Sequence, residues 1–452
     1  MSGARTPRVR VVVLNYDGGD TTVRCLEALQ QVDWPADALE IVLVDNASID
    51  GIAPVIARDM PVVRVIEHTH NVGFAGGCNL ALRDLSAIDY VALLNNDTIP
   101  DRDWLRPLVD ALEADDGLGA ANSKIVFAPS FVELSIDATR DQVEPGAQDL
   151  GVRITGLTVD GAEVWEHTQF ADGCHRSETR GTGYEQVCWT APQAQVRVPV
   201  EPTLTEIDAV LAIELSSDVP KTVRLTAGGD VVEVDVDVEP SWHLVPMRGP
   251  IFDVINNVGS RLVLGGYGGD RGFLEPDHGQ YDEPDEVFAW CGGAALLSVR
   301  YLRDVGIFDD RYFMYYEDTD LSWRGRLAGW RYVYVPESVV RHEHAASSRE
   351  GSAMFTHFVE RNRFVTLARN APWSMLADAL YVFLRDTAVI FERDVAVQVL
   401  HRSRPSPTLT LRRLRAFGAF LEMLPSTLAT RRRQGVAARA RGDLVDRWAV
   451  PQ

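Results

Sequence analysis

Four short apolar runs alternate with helical periodicity between residues 10 and 97. "RVVVLNY" (10–16), "EIVLVDN" (40–46), "VVRVIEH" (62–68) and "YVALLNND" (90–97) have the pattern of buried strands. "DTTVRCLEALQQV" (20–32) sets Val23, Leu26 and Leu29 near helical spacing behind a capping Asp20 or Thr21. Gly77 to Leu85 predicts a second helix. Strands separated by helices imply a parallel sheet with right-handed crossovers, and continuous apolar runs suit strands covered on both faces. Ligands bind such sheets at the carboxyl ends of the strands. Those ends carry Asn15 and Asp17, Asp45 and Asn46, His70 and Asn71, and Asn95 to Asp97. Turn chemistry explains any one of them; four together point to a polar ligand.

The period changes after residue 127. "AQVRVPV" (194–200), "AVLAIELS" (209–216), "TVRLTAG" (222–228) and "VVEVDVDV" (231–238) alternate, with "AGGD" as a hairpin turn between the last two. This predicts an all-β insert over 128–250, a small sandwich that interrupts the α/β pattern. Its Tyr184 and Trp189 fit either a buried core or a sugar platform. Helix and strand signals resume near Val287. They include a helix over Thr319 to Ala328 with Gly329 as its stop and Asp318 and Thr319 at its N-cap. The expected division is 1–127, 128–250, 251–353 and a helical region over 354–452.

Charge alters the picture of that last region. The chain of 452 residues totals −21, yet residues 361–452 hold 16 Arg and 7 acidic residues, a net of +9. An acidic body disfavours nucleic acid. In 411–424, Leu411, Leu414, Phe417, Leu421 and Leu424 share one helix face, with Arg412, Arg413 and Arg415 off it. A basic amphipathic helix of this kind packs on the body or docks on an anionic membrane. Met1 to Pro7 is polar and no run of about 18 apolar residues occurs, so neither a signal peptide nor a spanning helix is expected. Five scattered cysteines form no disulfide framework and suit the cytoplasm.

Two clusters carry candidate chemistry. In "LLNNDTIPD" (93–101) a strand runs into Asn95, Asn96 and Asp97, a set able to hold a hard cation such as Mg²⁺ or Mn²⁺. Gly73, Gly76 and Gly77 in "NVGFAGGCN" allow close approach of a phosphate to a helix N-terminus. The first strand lacks a G-x-G-x-x-G turn and no G-x-x-x-x-G-K-[ST] loop occurs, which excludes a Rossmann dehydrogenase and a P-loop ATPase on motif grounds. The second cluster is "FMYYEDTDLSWR" (313–324). It sets Glu317, Asp318 and Asp320 within four residues between Phe313, Tyr315, Tyr316 and Trp323. Close carboxylates repel, so a partner compensates them or a site uses them.

"VVVLNYDGGDTTVRCLEAL", "IVLVDNASIDG", "HNVGFAGGCN" and "LLNNDTIPDRDWL" resemble the nucleotide-sugar half of family 2 glycosyltransferases, of the GT-A fold. "WCGGAALLSVRYLRDVGIFDDRYFMYYEDTDLSWRGRLAGWRYVYVP" and "VVRHEHAAS" are similar to the acceptor half of their rhamnosyltransferase-like branch. The match covers roughly 10–127 and 287–370 and leaves out the insert.

The resemblance implies a GT-A domain interrupted by the β insert. It also implies an inverting transferase that moves a sugar, rhamnose or galactofuranose, from a nucleoside diphosphate to a cell-envelope or lipid-linked glycan. On the donor side it implies Asn15, Asp45, Asn71, Gly73, Asn95 and Asn96, with Asp97 and His342, or alternatively His344, as ligands of Mg²⁺ or Mn²⁺. On the acceptor side it implies Asp318 as general base, the loop of Trp290, Gly292 and Gly293, and Glu317 and Asp320, which would bind acceptor hydroxyls or hold the helix start. Tyr315 and Tyr316 would stack on a sugar. Asn95 stands where the family's metal motif has its first carboxylate, so the cation has fewer charged ligands. That departure supports the alternative, a non-catalytic glycan-binding protein working through the insert. The implied location is cytoplasmic, peripheral on the inner face of the plasma membrane.

Overall fold

The apolar runs form the centre of a mixed sheet in the computed structural model, which describes residues 5–139, 150–175, 187–203, 206–343 and 352–451. Two compact units emerge. The first comprises residues 1–126, 255–275 and 279–452; the second comprises 127–254 and 276–278.

In the first unit, β1 (Val9–Asn15) lies between β2 (Leu39–Asp45) and β4 (Tyr90–Asn95), parallel to both, and β3 (Val63–Glu67) pairs outside β2. The register sets Asn15 opposite Asp45, and Leu14 opposite Asn95. Helices α1 (Asp20–Leu29), α2 (Ile52–Asp59) and α3 (Gly73–Leu82) make the crossovers, and β5 (Thr98–Pro100), α4 (Leu105–Ala114) and β6 (Leu118–Phe127) follow. β7 (Ala294–Ser298) then inserts between β4 and β6, antiparallel to both. Beyond β6 lies β8 (Arg331–His342), which also pairs antiparallel with β5. Val9, Val11, Val13, Val42, Leu43 and Val91 are fully buried, as strands covered on both faces require. This parallel-rich sheet flanked by helices is the arrangement expected of a GT-A domain.

Helix starts differ from expectation. The N-cap of α1 is Gly19 at φ +54° with no side-chain cap, so neither Asp20 nor Thr21 caps it. α3 begins four residues before Gly77, at Gly73 with φ +76°. Helix α5 (Val299–Val305) follows β7, and α6 (Glu317–Ala328) begins at Glu317 after an N-cap Tyr316 at φ +70°. Asp318 therefore sits in the first turn, where free N–H groups still favour a carboxylate. Gly329, at φ +97°, ends the helix as predicted.

The second unit is the all-β insert. One sheet orders strands 169–170, 193–200, 130–137, 221–227 and 230–236; the other orders 174–175, 188–190, 153–159, 206–216 and 241–250. Inward residues of both, among them Leu134, Val196, Leu225, Leu157, Leu211 and Ile213, share one core, so the unit is a sandwich. Trp189 is half-buried beside His175, and Tyr184 lies outside the described residues.

The C-terminal part of the first unit is helical: α7 (Ala353–Asn370), α8 (Trp373–Phe391), α9 (Thr408–Gln434) and α10 (Ala438–Trp448). α8 runs on through a π turn (Glu392–Ala396) to Leu400. Phe364, Phe383 and Phe420 meet edge-on or tilted at this core. The stripe that α9 buries is Thr410, Ala416, Phe420 and Thr427. Leu411, Leu414 and Leu421 stay about half exposed, so the leucine face does not pack inward as a whole. No helix among the described residues is long and apolar enough to cross a membrane.

Candidate active site

The polar strand ends form a knot before they form a ligand site. The Asn15 amide nitrogen donates to Asp45 Oδ1 (3.0 Å) and Ser48 Oγ (2.8 Å). Asn15 Oδ1 accepts from Gly18 N (3.1 Å), Thr22 Oγ1 (2.8 Å) and the Asn96 amide (3.3 Å). Asn15 is fully buried. It therefore positions Asp45 and the 17–19 turn, with no group left for a ligand. Asn96 spends its amide on the same knot, also donating to Thr22 (2.8 Å). The Asn95 side chain points elsewhere: it makes no hydrogen bond among the described residues and stays half-buried, which leaves its carboxamide available. Asn71 Oδ1 accepts from the Asn46 amide (3.0 Å) and from Gly73 N (2.9 Å), so it pins the turn into α3. Ser48, Asp50 and Thr22 were missed as site residues; "DNAS" and "DTT" resemble ordinary turn and cap residues.

Antiparallel pairing of β5 with β8 sets His342 opposite Thr98 and so beside Asp97. His342 Nε2 lies 3.1 Å from Asp97 Oδ1, a buried oxygen that no hydrogen bond of ordinary geometry satisfies. On its other side the ring meets Asn256 Oδ1 at 3.1 Å, which orients it. A buried carboxylate and an oriented imidazole fit a divalent cation. Among the described residues no third His, Cys, Asp or Glu joins them; a cation here takes its other ligands from water and a bound diphosphate. His344 lies outside the described residues.

The acidic cluster resolves into three different carboxyls. Asp318 is half-buried; its Oδ2 accepts from Gly292 N (3.1 Å) and its Oδ1 from Thr319 N (2.6 Å). Burial pushes its pKa up, and those hydrogen bonds oppose the rise. Glu317 is buried, and burial together with the Asp318 charge pushes its pKa well up. Of the adjacent pair, Asp318, with its N–H donors, holds a charge more readily than Glu317. Asp320 is fully buried and saturated by Arg369 (2.8 Å), Arg324 (2.9 Å) and the Asn370 amide (2.9 Å). Burial alone would raise its pKa, but the arginine charges hold it below the ordinary carboxylate range. Of its two expected roles it fills only the structural one, because no oxygen remains for an acceptor hydroxyl.

Gly292 and Gly293 link the two halves. Gly292 N holds Asp318, while Gly293 O accepts from Asn95 N (3.0 Å). Trp290 does not line this site: its ring is fully buried in the core against Phe308. The segment before α6 is strained. Phe313, Tyr315 and Tyr316 have φ of 66°, 67° and 70°, values that aromatic side chains avoid. Asn362 on α7 clamps it, its amide donating to the carbonyls of Tyr312 (2.9 Å), Met314 (2.8 Å) and Tyr315 (2.7 Å). Gly73 packs against the Phe313 carbonyl so closely that a Cβ there would lie 2.2 Å from its oxygen. Tyr316 spends its hydroxyl on Gly268 N (3.3 Å), and the Tyr315 ring packs edge-on against Phe355.

Residues 10–128 match the model of the glycosyl transferase family 2. The chain is 33% identical over 172 residues to N-acetylglucosaminyl-diphospho-decaprenol L-rhamnosyltransferase of Mycobacterium tuberculosis, covering 37% of this chain and 52% of that one. It is 50% identical over 54 residues to rhamnosyltransferase WbbL of Escherichia coli, covering 12% and 20%. Among solved structures, GalNAc-T7 with UDP, GalNAc and Mn²⁺ aligns with a TM-score of 0.46 at 13% identity, over 94% of this chain and 58% of that one. The chain spans about half the length of the Mycobacterium relative. Residues 10–128 are thus similar to family 2 glycosyltransferases, and the chain resembles rhamnosyltransferases in sequence.

Proposed function

We propose that the protein is an inverting glycosyltransferase that moves a sugar from a nucleoside diphosphate to a cell-envelope or lipid-linked glycan. One observation carries this reading: the Gly292–Gly293 segment bonds Asp318 on one side and Asn95 on the other, two residues from Asp97. This supports a reading in which a candidate base and a candidate cation site flank the same Gly292–Gly293 segment. Asp318 takes the proton of the acceptor hydroxyl, whose oxygen attacks the anomeric carbon as the bond to the diphosphate breaks on the opposite face. A divalent cation held by Asp97 and His342 would neutralise the departing diphosphate. Asp45 faces the base of the nucleotide. Similarity to rhamnosyltransferases favours rhamnose over galactofuranose.

The test is calorimetry of nucleoside diphosphates with Mg²⁺ or Mn²⁺. Metal-dependent binding of one nucleotide, weakened by about tenfold or more in Asp97→Ala by loss of a charged ligand, is the expected result. No binding by any nucleotide under either metal would favour the non-catalytic reading and the β insert.

The acceptor side of the proposal includes an anionic membrane surface. Residues 395–421 hold five Arg, one His and no acidic residue. Within and beside this stretch Phe391, Val399, Leu400, Leu411 and Leu414 are 46–80% exposed. Arg413 is spent internally, over the Phe383 ring at 4.1 Å, but Arg402, Arg404, Arg412 and Arg415 are exposed. Each such cation contributes about 1 kcal/mol near an anionic surface. Because α9 buries Phe420 and Ala416, point changes test this better than truncation. Co-sedimentation with phosphatidylglycerol vesicles is expected, fading with salt and lost in the double variant Leu400→Asp, Leu411→Asp. Equal sedimentation of that variant would remove the membrane from the proposal.

A further inference from the structure

Away from the site just described, α9, α10 and the start of α8 line a cleft of about 290 Å³, with Trp373, Leu428, Arg431, Arg432 and Arg441 on its walls. Arg441 is 1% exposed. Its Nη1 donates to the carbonyls of Arg369 (2.9 Å) and Asn370 (2.8 Å), and its Nη2 to Gln434 Oε1 (2.8 Å). Arg431 donates to the Ala371 carbonyl (2.6 Å) and lies over the Trp373 ring at 4.1 Å. Arg432 is exposed, and its guanidinium has no partner among the described residues.

Two of these arginines cap the end of α7, which explains their hydrogen bonds but not the charge. A helix C-terminus offers roughly half a negative charge, and three guanidiniums face the cleft. None of the three pairs with a carboxylate among the described residues. Burial and the Arg431 charge push Arg441 down to about 10, the mark of a cation without a counter-ion. Planar guanidinium forks match phosphate oxygens, and Trp373 and Leu428 give the same cleft an apolar wall.

We infer that this cleft binds a phosphate-bearing anion, with its phosphate on Arg431, Arg432 and Arg441 and an apolar substituent against Trp373 and Leu428. The inference does not rest on the transferase reading. Calorimetry on the full chain, in EDTA at constant ionic strength, would compare inorganic pyrophosphate with monomeric octyl phosphate. Arg432→Gln removes an exposed, unbonded group, so the melting temperature without ligand should not move. Its affinity for either anion should fall by about tenfold or more, the loss of one charge-assisted hydrogen bond. Tighter octyl phosphate assigns the site to a lipid phosphate; equal affinities assign it to a free phosphate. No binding of either anion, or binding that Arg432→Gln leaves intact and Asp97→Ala removes, would overturn the inference.

Discussion

Replacing Asp318 with Asn is expected to slow sugar transfer by about 10²–10⁴-fold, the usual contribution of a positioned base, while nucleotide affinity is retained. Asn keeps the shape and one acceptor oxygen, so one of the contacts from Gly292 N and Thr319 N survives and the other N–H faces the amide NH2. The lone pair that takes the proton is lost. Glu317→Gln should be much milder, because burial and the Asp318 charge already disfavour ionisation of Glu317. The pH profile follows from the same pair. A base works deprotonated, and Asp318 has a raised pKa, so activity falls as pH drops through a value above the ordinary aspartate range near 4. Steady-state rates over pH, with Glu317→Gln in parallel, check this. Equal losses in Asp318→Asn and Glu317→Gln would show that the two carboxyls act as a unit and that the preference of the charge for Asp318 is wrong.

Arg369→Met should be the most damaging change to stability, by about 3–5 kcal/mol, the cost of stripping one partner from a buried ion pair. Arg369 is 2% exposed and bonds both Asp320 and Asp309. Its loss leaves Asp320, also fully buried, with Arg324 and Asn370 alone. The exposed pair Arg58–Asp59 is the control, where Arg58→Met should leave the urea midpoint essentially unmoved. Asp309 and Asp320 both have depressed pKa values. Their contribution is therefore full above the unfolded pKa near 4 and is lost as pH falls toward the folded values. Urea midpoints at pH 7 and pH 2 would show it. A wild-type midpoint that does not drop with acid would exclude this network as a major support.

The parallel half of the sheet was legible because each strand is an unbroken apolar run ending in a polar pair. Asp97 beside His342 was legible only through resemblance. The two lie 245 residues apart, and no periodicity announces that β5 pairs with β8. Asn15 and Asn96 were placed at the right strand ends, but their inward hydrogen bonds depend on the register of neighbouring strands. Trp290 and Asp320 sit next to site residues along the chain and yet point into the core, where side-chain direction rather than position decides. Asn362 left no trace at all. Its value depends on three carbonyls freed by positive φ in Phe313, Tyr315 and Tyr316, a backbone that aromatic residues do not predict. The leucines of α9 have helical spacing, but only the packing of Phe420 shows which flank is covered.

The chain leaves the central sheet at Val126 and re-enters it at Ile255, and those two residues pair directly in β6. The departure and return points of a 128-residue excursion are therefore neighbours on one ladder. In chain order the sandwich is a cassette whose two ends meet on that ladder, with 276–278 as a short further contribution. Insertions of that kind are tolerated where the ends already meet. A chain lacking residues 127–254 would therefore keep the strand order of the central sheet.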